Sequence, residues 1–420
     1  MQTVVVHICA DKVTLFIRDC QNKRTKTVNI LNLISTFARN RIHCIANNMS
    51  GLYVHIPFCA SRCIYCGFYS TTLAELRARY VDALGREMRL RAAASGAETI
   101  STVYIGGGTP SQLTADELHS LFRYINNVYS PDWDNIEVTM ECNPDDVTAD
   151  FCQVLKALPV NRVSMGAQTF SDERLRFLHR RHTAVEVRQA VGNLRAIGIG
   201  NISVDLMFAF PGETLRDWQS DIDAALSLDV EHISAYSLQY EEGTTLYNML
   251  RQGRIHEIDD ELYRQMYNTL CDRLTAAGYE HYEISNFAKP GHRSRHNSSY
   301  WHNVPYIGIG ASAHSYSCSA RSWNVSDIRQ YITTVESSQL PSEQEVIDDD
   351  THYDDTVVTA LRTCEGIDVA ALKPRYQRYI LSAARPYIDG GDMEFSAHRL
   401  RLTRNGIFVS DMIMADLMMG

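Results

Sequence analysis

The stretch HIPFCASRCIYCGFYS, residues 55–70, decides how the rest of this chain is interpreted. It places Cys59, Cys63 and Cys66 at spacings of four and then three residues, and it surrounds them with aromatic side chains. Three thiols this close together have four explanations: a disulfide, a zinc site, an iron–sulfur cluster or coincidence. The remaining sequence has to discriminate among these four.

Composition excludes several classes of protein. The chain has 420 residues, 45% of them hydrophobic and 21% charged, which is typical of a globular protein with two or three domains. A net charge of −10 argues against a general nucleic-acid binder, so no nucleic-acid partner is expected. No apolar run approaches the roughly 20 residues that a membrane-spanning helix needs.

Cysteine usage predicts a reducing, cytoplasmic location. The number of cysteines, 11, is odd, and the eight outside the opening stretch are scattered singly along the chain. A secreted disulfide scaffold is smaller and spaces its cysteines more regularly. Most of the scattered thiols are therefore expected to be small buried hydrophobic groups, and a disulfide is the weakest of the four explanations.

Residues 1–48 contain two short strand-like runs and a basic segment. Asp11, Lys12 and Arg18 interrupt the apolar stretches, and no small-residue cleavage site follows, so this segment is not a signal peptide. Met49 stands just before the first convincing strand. Residues 1–48 are interpreted either as an appended start outside the functional fold or as a genuine small extension.

From residue 51 to about residue 238, apolar strands alternate with amphipathic helices in six β–α steps. Strands rich in valine and isoleucine in this order predict a parallel sheet covered by helices. Polar or glycine residues stand at or just past the carboxyl ends of the strands, namely Cys59, Gly106, Gly107, Gly108, Glu141, Gln168, Asp205 and Tyr236. In a parallel α/β barrel that rim carries the ligand, so the sequence predicts a site there.

The spacing of the three cysteines favours a cluster over zinc. Structural zinc usually takes four ligands from separated pairs, and no obvious fourth ligand stands near this loop. A [4Fe–4S] cluster held by three thiolates leaves one iron open for another ligand. The segment YIGGGTPS, residues 104–111, lets the backbone approach a ligand closely, and a tight strand-to-helix turn is the less favoured alternative.

The pattern Cys59-x3-Cys63-x2-Cys66, with Tyr65 before the last cysteine, resembles the signature of radical S-adenosylmethionine proteins. The resemblance implies a partial, open (β/α)6 barrel and a [4Fe–4S] cluster on the three cysteines. It also implies S-adenosylmethionine, whose methionine end chelates the open iron. The residues implied to contact it are Tyr53, Tyr65, Gly107, Gly108, Thr109, Glu141, Gln168, Arg180 and Asp205. Arg181 is an alternative to Arg180.

Within that superfamily, most of residues 51–420 resemble the anaerobic coproporphyrinogen III oxidase group. Its true oxidases carry a further cysteine two positions after the third, where this chain has Phe68. The segment RHNSSYW, residues 295–301, resembles a His-Asn-x-x-Tyr-Trp motif typical of heme chaperones in the group and implies heme bound by His296. The oxidase remains the alternative activity. A zinc-stabilised binding module is a third interpretation.

The predicted organisation follows from this resemblance. It comprises residues 1–48 as the extension, 49–285 as the radical SAM core, 286–350 as a heme-motif and linker region, and 351–420 as a small, mainly helical, winged-helix-like domain. The acidic segment PSEQEVIDDDTHYDD, residues 341–355, is predicted to be the linker. The implied partners are heme-accepting proteins, respiratory ones among them, and an electron donor to the cluster. Peripheral association with membrane proteins and a homodimer stay open.

Overall fold

The computed structural model describes residues 7–9, 12–14, 49–95 and 99–419. The prediction for residues 1–48 therefore lies outside the described residues, apart from two three-residue strands. The strands are β1 His7–Cys9, β2 Lys12–Thr14, β3 Met49–Ile56, β4 Thr99–Gly107, β5 Glu137–Cys142, β6 Arg162–Gln168, β7 Asn201–Phe208, β8 His232–Ser237, β9 Glu280–Glu283, β10 Asn286–Ala288, β11 Tyr306–Ile309, β12 His314–Ser317, β13 Ala320–Asn324, β14 Ser342–Val346, β15 Ile367–Asp368, β16 Met393–Ser396 and β17 Arg399–Leu402.

The helices follow the strands in the order that the sequence predicts. They are α1 Arg77–Ser95, α2 Ala115–Tyr129, α3 Ala149–Lys156, α4 Asp172–Phe177, α5 Ala184–Ala196, α6 Leu215–Ser227, α7 Thr245–Arg251, α8 Asp260–Ala276, α9 Arg295–Trp301, α10 Ile328–Glu336, α11 Asp349–Ala360, α12 Pro374–Ala383, α13 Arg385–Asp389, α14 Arg404–Ile407 and α15 Ser410–Leu417. Three of them start with a complete capping box, at Thr114, Thr183 and Thr214. In each box the threonine side chain and an acidic side chain three residues later satisfy free backbone N–H groups, which fixes where the helix begins.

One sheet of 12 strands forms the body of the protein, in the order β14-β13-β12-β11-β3-β4-β5-β6-β7-β8-β10-β9. The central strands from β11 to β8 pair in parallel, and the strands at either flank pair antiparallel. The order has two ends among the described residues, so the sheet is a partial, open barrel, as the sequence predicts. The carboxyl ends of β3 to β8 meet at one rim.

The strands alternate between an apolar outer face and a polar inner face. On β7, Ile202, Val204 and Leu206 are fully buried in the main core under the helices. The residues between them, Ser203 and Asp205, turn to the other face, because successive side chains of a strand point to opposite sides. Strands of a parallel sheet that packs apolar cores on both faces have continuously hydrophobic sequences. The alternation here leaves a polar interior for a ligand.

The acidic segment predicted as a linker is ordered. Its first part is β14, which pairs antiparallel with β13, and its second part begins α11. Asp348 caps α11 by accepting a hydrogen bond from Thr351 N. Acidic residues in this segment lie on an exposed strand and in a helical first turn, where negative charge is favourable. The segment therefore has regular secondary structure, and its role as a linker stays a prediction.

Residues from α11 onward form a small second domain with its own core. That core includes Tyr353, Val357, Ile380 and Leu400, and the sheet β15-β17-β16 packs beside the helices. Two backbone hydrogen bonds join the domain to the barrel near β9: Ile284 N donates to Arg362 O at 3.0 Å and Cys364 N donates to Tyr282 O at 3.1 Å. In the part of the chain that the structure describes, no helix is long and apolar enough to cross a membrane.

Candidate functional site

The cysteine loop follows β3 directly and is tied back by its backbone. Cys59 N donates to Thr71 O at 2.9 Å, and Thr71 N donates to Pro57 O at 2.7 Å. A further turn bond runs from Cys66 N to Cys63 O at 3.3 Å. All three thiols are free and partly exposed. The loop therefore places three half-buried cysteines at the rim of the sheet.

The environment of the thiols combines burial with one cation. Cys59 Sγ lies 3.5 Å from Thr109 Oγ1, and Arg180 Nη1 lies 3.6 Å from Cys63 Sγ. Burial raises the pKa of Cys66 to about 11 and raises the pKa of Cys59 as well, and the neighbouring thiols add to both shifts. A raised pKa means that ionising the thiol costs free energy. A bound metal offsets this cost, because it replaces the proton and stabilises the thiolate.

The donor set fits a cluster better than a single metal ion. Across the described ranges, no three His, Cys, Asp or Glu side chains come close enough together to hold one metal ion. A [4Fe–4S] cluster spreads its cysteine ligands over separate irons, so it does not require the three sulfurs to converge on one point. Three partly exposed thiols on one loop, with an arginine beside them, suit that larger anionic group.

The glycine loop after β4 approaches the cysteine loop too closely for side chains. Gly107 has φ +114°, and a Cβ added there would lie 2.6 Å from the His55 ring. A Cβ on Gly108 would lie 2.7 Å from the carbonyl carbon of Pro57. The loop is also fixed by Glu141, which accepts hydrogen bonds from Gly107 N at 3.0 Å and from Tyr104 Oη at 2.7 Å. Gly107 and Gly108 are thus required by packing, whether or not a ligand lies against them.

One cavity of about 380 Å³ opens between these loops. The predicted residues that line it are Cys59, Cys63, Tyr65, Cys66, Gly107, Gly108, Thr109, Glu141, Gln168, Arg180 and Asp205. Tyr236, which follows the same rim, and Phe68 line it too. The structure therefore gathers 11 of the 13 predicted site residues around a single space, although they come from five different strand ends.

Arg180 and Arg181 have different partners and therefore different roles. Arg180 Nη2 donates to Asn143 Oδ1 at 2.7 Å and to Gly166 O at 2.8 Å, which points the guanidinium at the cysteine loop. Its Nε is buried and has no hydrogen-bond partner within the described part of the chain. Arg181 instead forms ion pairs with Asp145 and Asp146, both at 2.9 Å. Arg180 is thus the arginine with capacity left for a ligand.

Two more rim residues owe their positions to irregular backbone. Gln168 has φ +63° at a register shift between β6 and β7, and a Cβ on Gly166 would lie 2.5 Å from its amide nitrogen. Burial raises the pKa of Asp205 to about 6, against hydrogen bonds from Ser234 and Ser164 that lower it. Asp205 can therefore exist in either protonation state near neutral pH, which suits a group that meets a polar ligand.

Tyr53 does not reach the cavity. It is 3% exposed on β3, and its hydroxyl lies 2.8 Å from His55 Nδ1. Its ring packs near Tyr104, with ring centroids 6.2 Å apart. The predicted contact between Tyr53 and S-adenosylmethionine has no support in this geometry, because Tyr53 lies below the rim and its hydroxyl bonds within the fold.

His296 does not line the cavity either, so the prediction that it holds heme has no support in this geometry. It is 1% exposed on α9, and its Nδ1 and Nε2 lie 2.8 Å from Thr102 Oγ1 and from Tyr300 Oη. The imidazole stacks on Tyr104, and burial lowers the pKa of His296 to about 3, with a further contribution from the charge of Arg162. Both ring nitrogens are hydrogen-bonded, so neither is available to iron in this conformation.

The cavity also has walls that no motif predicted. Asn143, which orients Arg180, belongs to the segment ECNP, residues 141–144, beside the predicted Glu141, and could have been chosen from its place there. Tyr263 and Tyr267 come from α8, while Arg362 and Asp411 come from the second domain. Those four residues lie far along the chain from the cysteines and follow no recognisable pattern, so only the folded structure shows them.

Comparisons with known proteins agree with this arrangement. Residues 53–225 match the radical SAM superfamily, and residues 347–409 match the HemN C-terminal domain. The heme chaperone HemW of Bacillus subtilis is 38% identical over 79% of this chain and 88% of its own length. The heme chaperone HemW of Mycobacterium tuberculosis is 33% identical over 88% of this chain and 94% of its length.

The fold has a close match among solved structures. Coproporphyrinogen III oxidase (HemN) from Escherichia coli, described as a radical SAM enzyme, superposes with a TM-score of 0.78 at 20% identity. The match covers 92% of this chain and 93% of that protein. At this identity the likeness concerns the fold, and it confirms the predicted radical SAM barrel with a HemN-type second domain.

Proposed function

Because this chain belongs to the HemW family of radical S-adenosylmethionine proteins, we propose that it is a heme chaperone. It binds a [4Fe–4S] cluster, S-adenosylmethionine and heme, and it transfers the heme to acceptor proteins. The observation that carries the proposal is the convergence of three free thiols and the polar strand ends on one cavity, in a chain whose HemW relatives match over most of their length.

Cys59, Cys63 and Cys66 would hold the cluster. A bound [4Fe–4S] cluster supplies an electron and one open iron. The protein's own contribution is to position S-adenosylmethionine beside it. Arg180 offers a fixed guanidinium to the carboxylate of the methionine end, since an arginine–carboxylate pair is a strong and directional contact.

The glycine loop and the carboxylates orient the rest of that ligand. Gly107 and Gly108 line the cavity without side chains, so a ligand can lie against their backbone. Glu141 is held rigidly by Tyr104 and by Gly107 N, which lets it accept a hydrogen bond without reorganising. Asp205 closes the polar side of the cavity from β7.

Two observations favour the chaperone over coproporphyrinogen oxidation. The position at which the resembling oxidases carry a further cysteine is Phe68 here, and this side chain lines the cavity. The relatives named heme chaperones are 33–38% identical, whereas the oxidase structure is 20% identical and speaks for the fold alone. An apolar ring in place of a thiol removes a nucleophile and adds a surface on which a porphyrin can pack.

The proposed setting follows from the same reasoning. Cysteine usage favours a reducing cytoplasmic location, and transfer requires acceptor proteins that lack heme. Respiratory hemoproteins are one class of acceptor, and a small redox protein would supply the electron to the cluster.

The experiment is an anaerobic heme-transfer assay. Protein reconstituted with iron and sulfide is loaded with heme, separated from free heme by gel filtration, and mixed with an apo-hemoprotein whose absorbance reports uptake. We expect stoichiometric heme retention followed by transfer. The same preparation is then supplied with coproporphyrinogen III, S-adenosylmethionine and a reductant, and we expect no protoporphyrinogen. Multiple turnovers of that substrate without heme transfer would establish the oxidase instead.

A further inference from the structure

The cavity has further lining residues outside the cysteine loop, here called the second wall, and the second domain contributes to them. Its residues are Tyr263, Tyr267, Ile284, Ser285, Arg362 and Asp411. Tyr263 packs against Phe208 with ring centroids 5.6 Å apart, so part of this wall is aromatic. None of these residues belongs to the predicted cluster and S-adenosylmethionine site. The wall therefore provides for a second ligand in the same space.

Arg362 is the cation of this wall, and it is held in place from two sides. Its Nε and Nη2 lie 3.0 Å and 2.8 Å from Glu283 Oε1. Its guanidinium also lies over the Trp301 ring, 5.2 Å from the ring centroid. These contacts fix the plane of the guanidinium before any ligand arrives, which lowers the entropy cost of binding.

One nitrogen of Arg362 remains for a ligand. Nη1 has no hydrogen-bond partner among the residues that the structure describes, and the side chain is 10% exposed. The residue also lines the cavity. A buried cation with an unused donor favours an anionic acceptor, because the charge-assisted hydrogen bond forms where water is scarce.

We propose that Arg362 binds a carboxylate of a tetrapyrrole whose ring lies against Tyr263 and Phe208. This inference rests on the proposed function, and it names the part of the cavity that heme occupies. Heme combines a flat apolar ring with two propionate carboxylates, and the wall offers an aromatic surface and a fixed cation for these two features.

The same geometry gives the His-Asn-x-x-Tyr-Trp segment an indirect part in heme binding. Trp301, the last residue of that segment, supports Arg362 through the cation–π contact. His296, five residues earlier, stays in its hydrogen-bonded network below. Trp301 is thus a positioning residue for the carboxylate site, and the segment does not have to supply an iron ligand.

The charge pattern separates this site from that of S-adenosylmethionine. Arg180 lies at the cysteine loop, 3.6 Å from Cys63 Sγ, and serves the methionine carboxylate there. Asp411, the other charged residue that the second domain gives to the cavity, lies towards Tyr263, whose pKa is raised mainly by burial and partly by that carboxylate. Arg362 therefore serves the carboxylate of the second ligand.

The test is an anaerobic titration with heme and with heme dimethyl ester, which lacks the propionate charges. Wild type, Arg362→Gln and Arg362→Lys are compared, with the exposed Arg385→Gln as the control. We expect Arg362→Gln to bind heme about tenfold more weakly and Arg362→Lys to recover part of the affinity, since loss of a charge-assisted hydrogen bond has that magnitude. The ester should bind wild type and Arg362→Gln equally, and Arg385→Gln should match wild type.

The outcomes are separable. Equal binding of heme and its ester by wild type, which requires no variant, overturns the carboxylate contact. The carboxylate contact is also overturned if Arg362→Gln loses affinity for heme and for the ester equally, or if it keeps full affinity for heme. Wild type that binds neither ligand overturns the proposed function itself. Affinity for S-adenosylmethionine, measured by equilibrium dialysis, should not change in Arg362→Gln, and a parallel loss would assign Arg362 to that ligand instead.

Discussion

Replacing His296 by alanine tests whether this residue is structural or a heme ligand. The change leaves the hydroxyl of Thr102, which is 2% exposed, without its partner at a cost of about 1–3 kcal/mol. It also removes the bond to Tyr300, worth about 1 kcal/mol, and a ring stacked on Tyr104, worth about 0.5–1.5 kcal/mol. We expect the free energy of unfolding to fall by about 3–5 kcal/mol and the melting temperature by roughly 3–6 °C.

The difference in unfolding free energy between wild type and His296→Ala should also depend on pH. Because burial lowers the pKa of His296 to about 3, the folded wild type excludes a proton that the unfolded chain binds below pH 6.5. Wild type therefore loses stability through this group as the pH falls from 6.5 towards 3, and its advantage over His296→Ala shrinks in that range.

The assay combines thermal unfolding with the Soret spectrum of heme-loaded protein. His302, exposed just past the end of α9, provides the control: His302→Ala removes a histidine next to the same motif and should cost less than 1 kcal/mol. We expect His296→Ala to lose stability and keep the Soret spectrum. A variant with wild-type stability and an altered Soret band would refute the structural role and restore His296 as the iron ligand.

Three further predictions concern the rim and one buried carboxylate. Gly107→Ala should weaken S-adenosylmethionine binding at least tenfold in equilibrium dialysis. The control Gly198→Ala, also at positive φ but with no neighbour within 4 Å of the new Cβ, should leave that binding unchanged. Equal affinities of the two variants for S-adenosylmethionine would show that crowding is not the reason for the glycine at position 107. Arg180→Lys should weaken the same binding and Arg181→Lys should not, and the reverse result would exchange their roles. Burial raises the pKa of Glu213 from 4.5 to about 7, so stability should fall by about 3 kcal/mol as the pH rises through that interval. Unfolding of Glu213→Gln should lack this decrease, and an identical pH profile would contradict the shift.

Local sequence signals were sufficient to predict the barrel. Most β–α steps combine an apolar strand with a helix whose start is fixed by a threonine cap, so the periodicity and the capping signal both lie within a short stretch of sequence. The apolar run NISVDLMFAFP, residues 201–211, predicts one strand over its whole length. The observed strand β7 ends at Phe208, because Ala209 takes a left-handed conformation with φ +69° before Pro211 and Gly212. Boundary errors of this kind reflect backbone geometry that composition does not encode.

The site was predictable where residues share a strand end, and it was not where they depend on distant partners. His296 is hydrogen-bonded to Thr102 through its ring and to Glu137 through its backbone N, and both partners lie more than 150 residues earlier in the chain. Arg362 follows α11 in a different domain and belongs to no motif. A motif shows which residue types stand together in sequence, whereas hydrogen-bond partners and cavity walls are set by tertiary packing.

The central claim is that the cysteine loop and the cavity form one cofactor site. It is tested most directly by measuring iron and sulfide after anaerobic reconstitution of wild type and of the variants Cys59→Ala, Cys63→Ala and Cys66→Ala. The account predicts about four irons and four sulfides in wild type and their loss in each of these variants, with no loss in Cys142→Ala, whose thiol is buried in the core. Stoichiometric zinc in place of iron, or a cluster that survives in the three variants and disappears in Cys142→Ala, would contradict it.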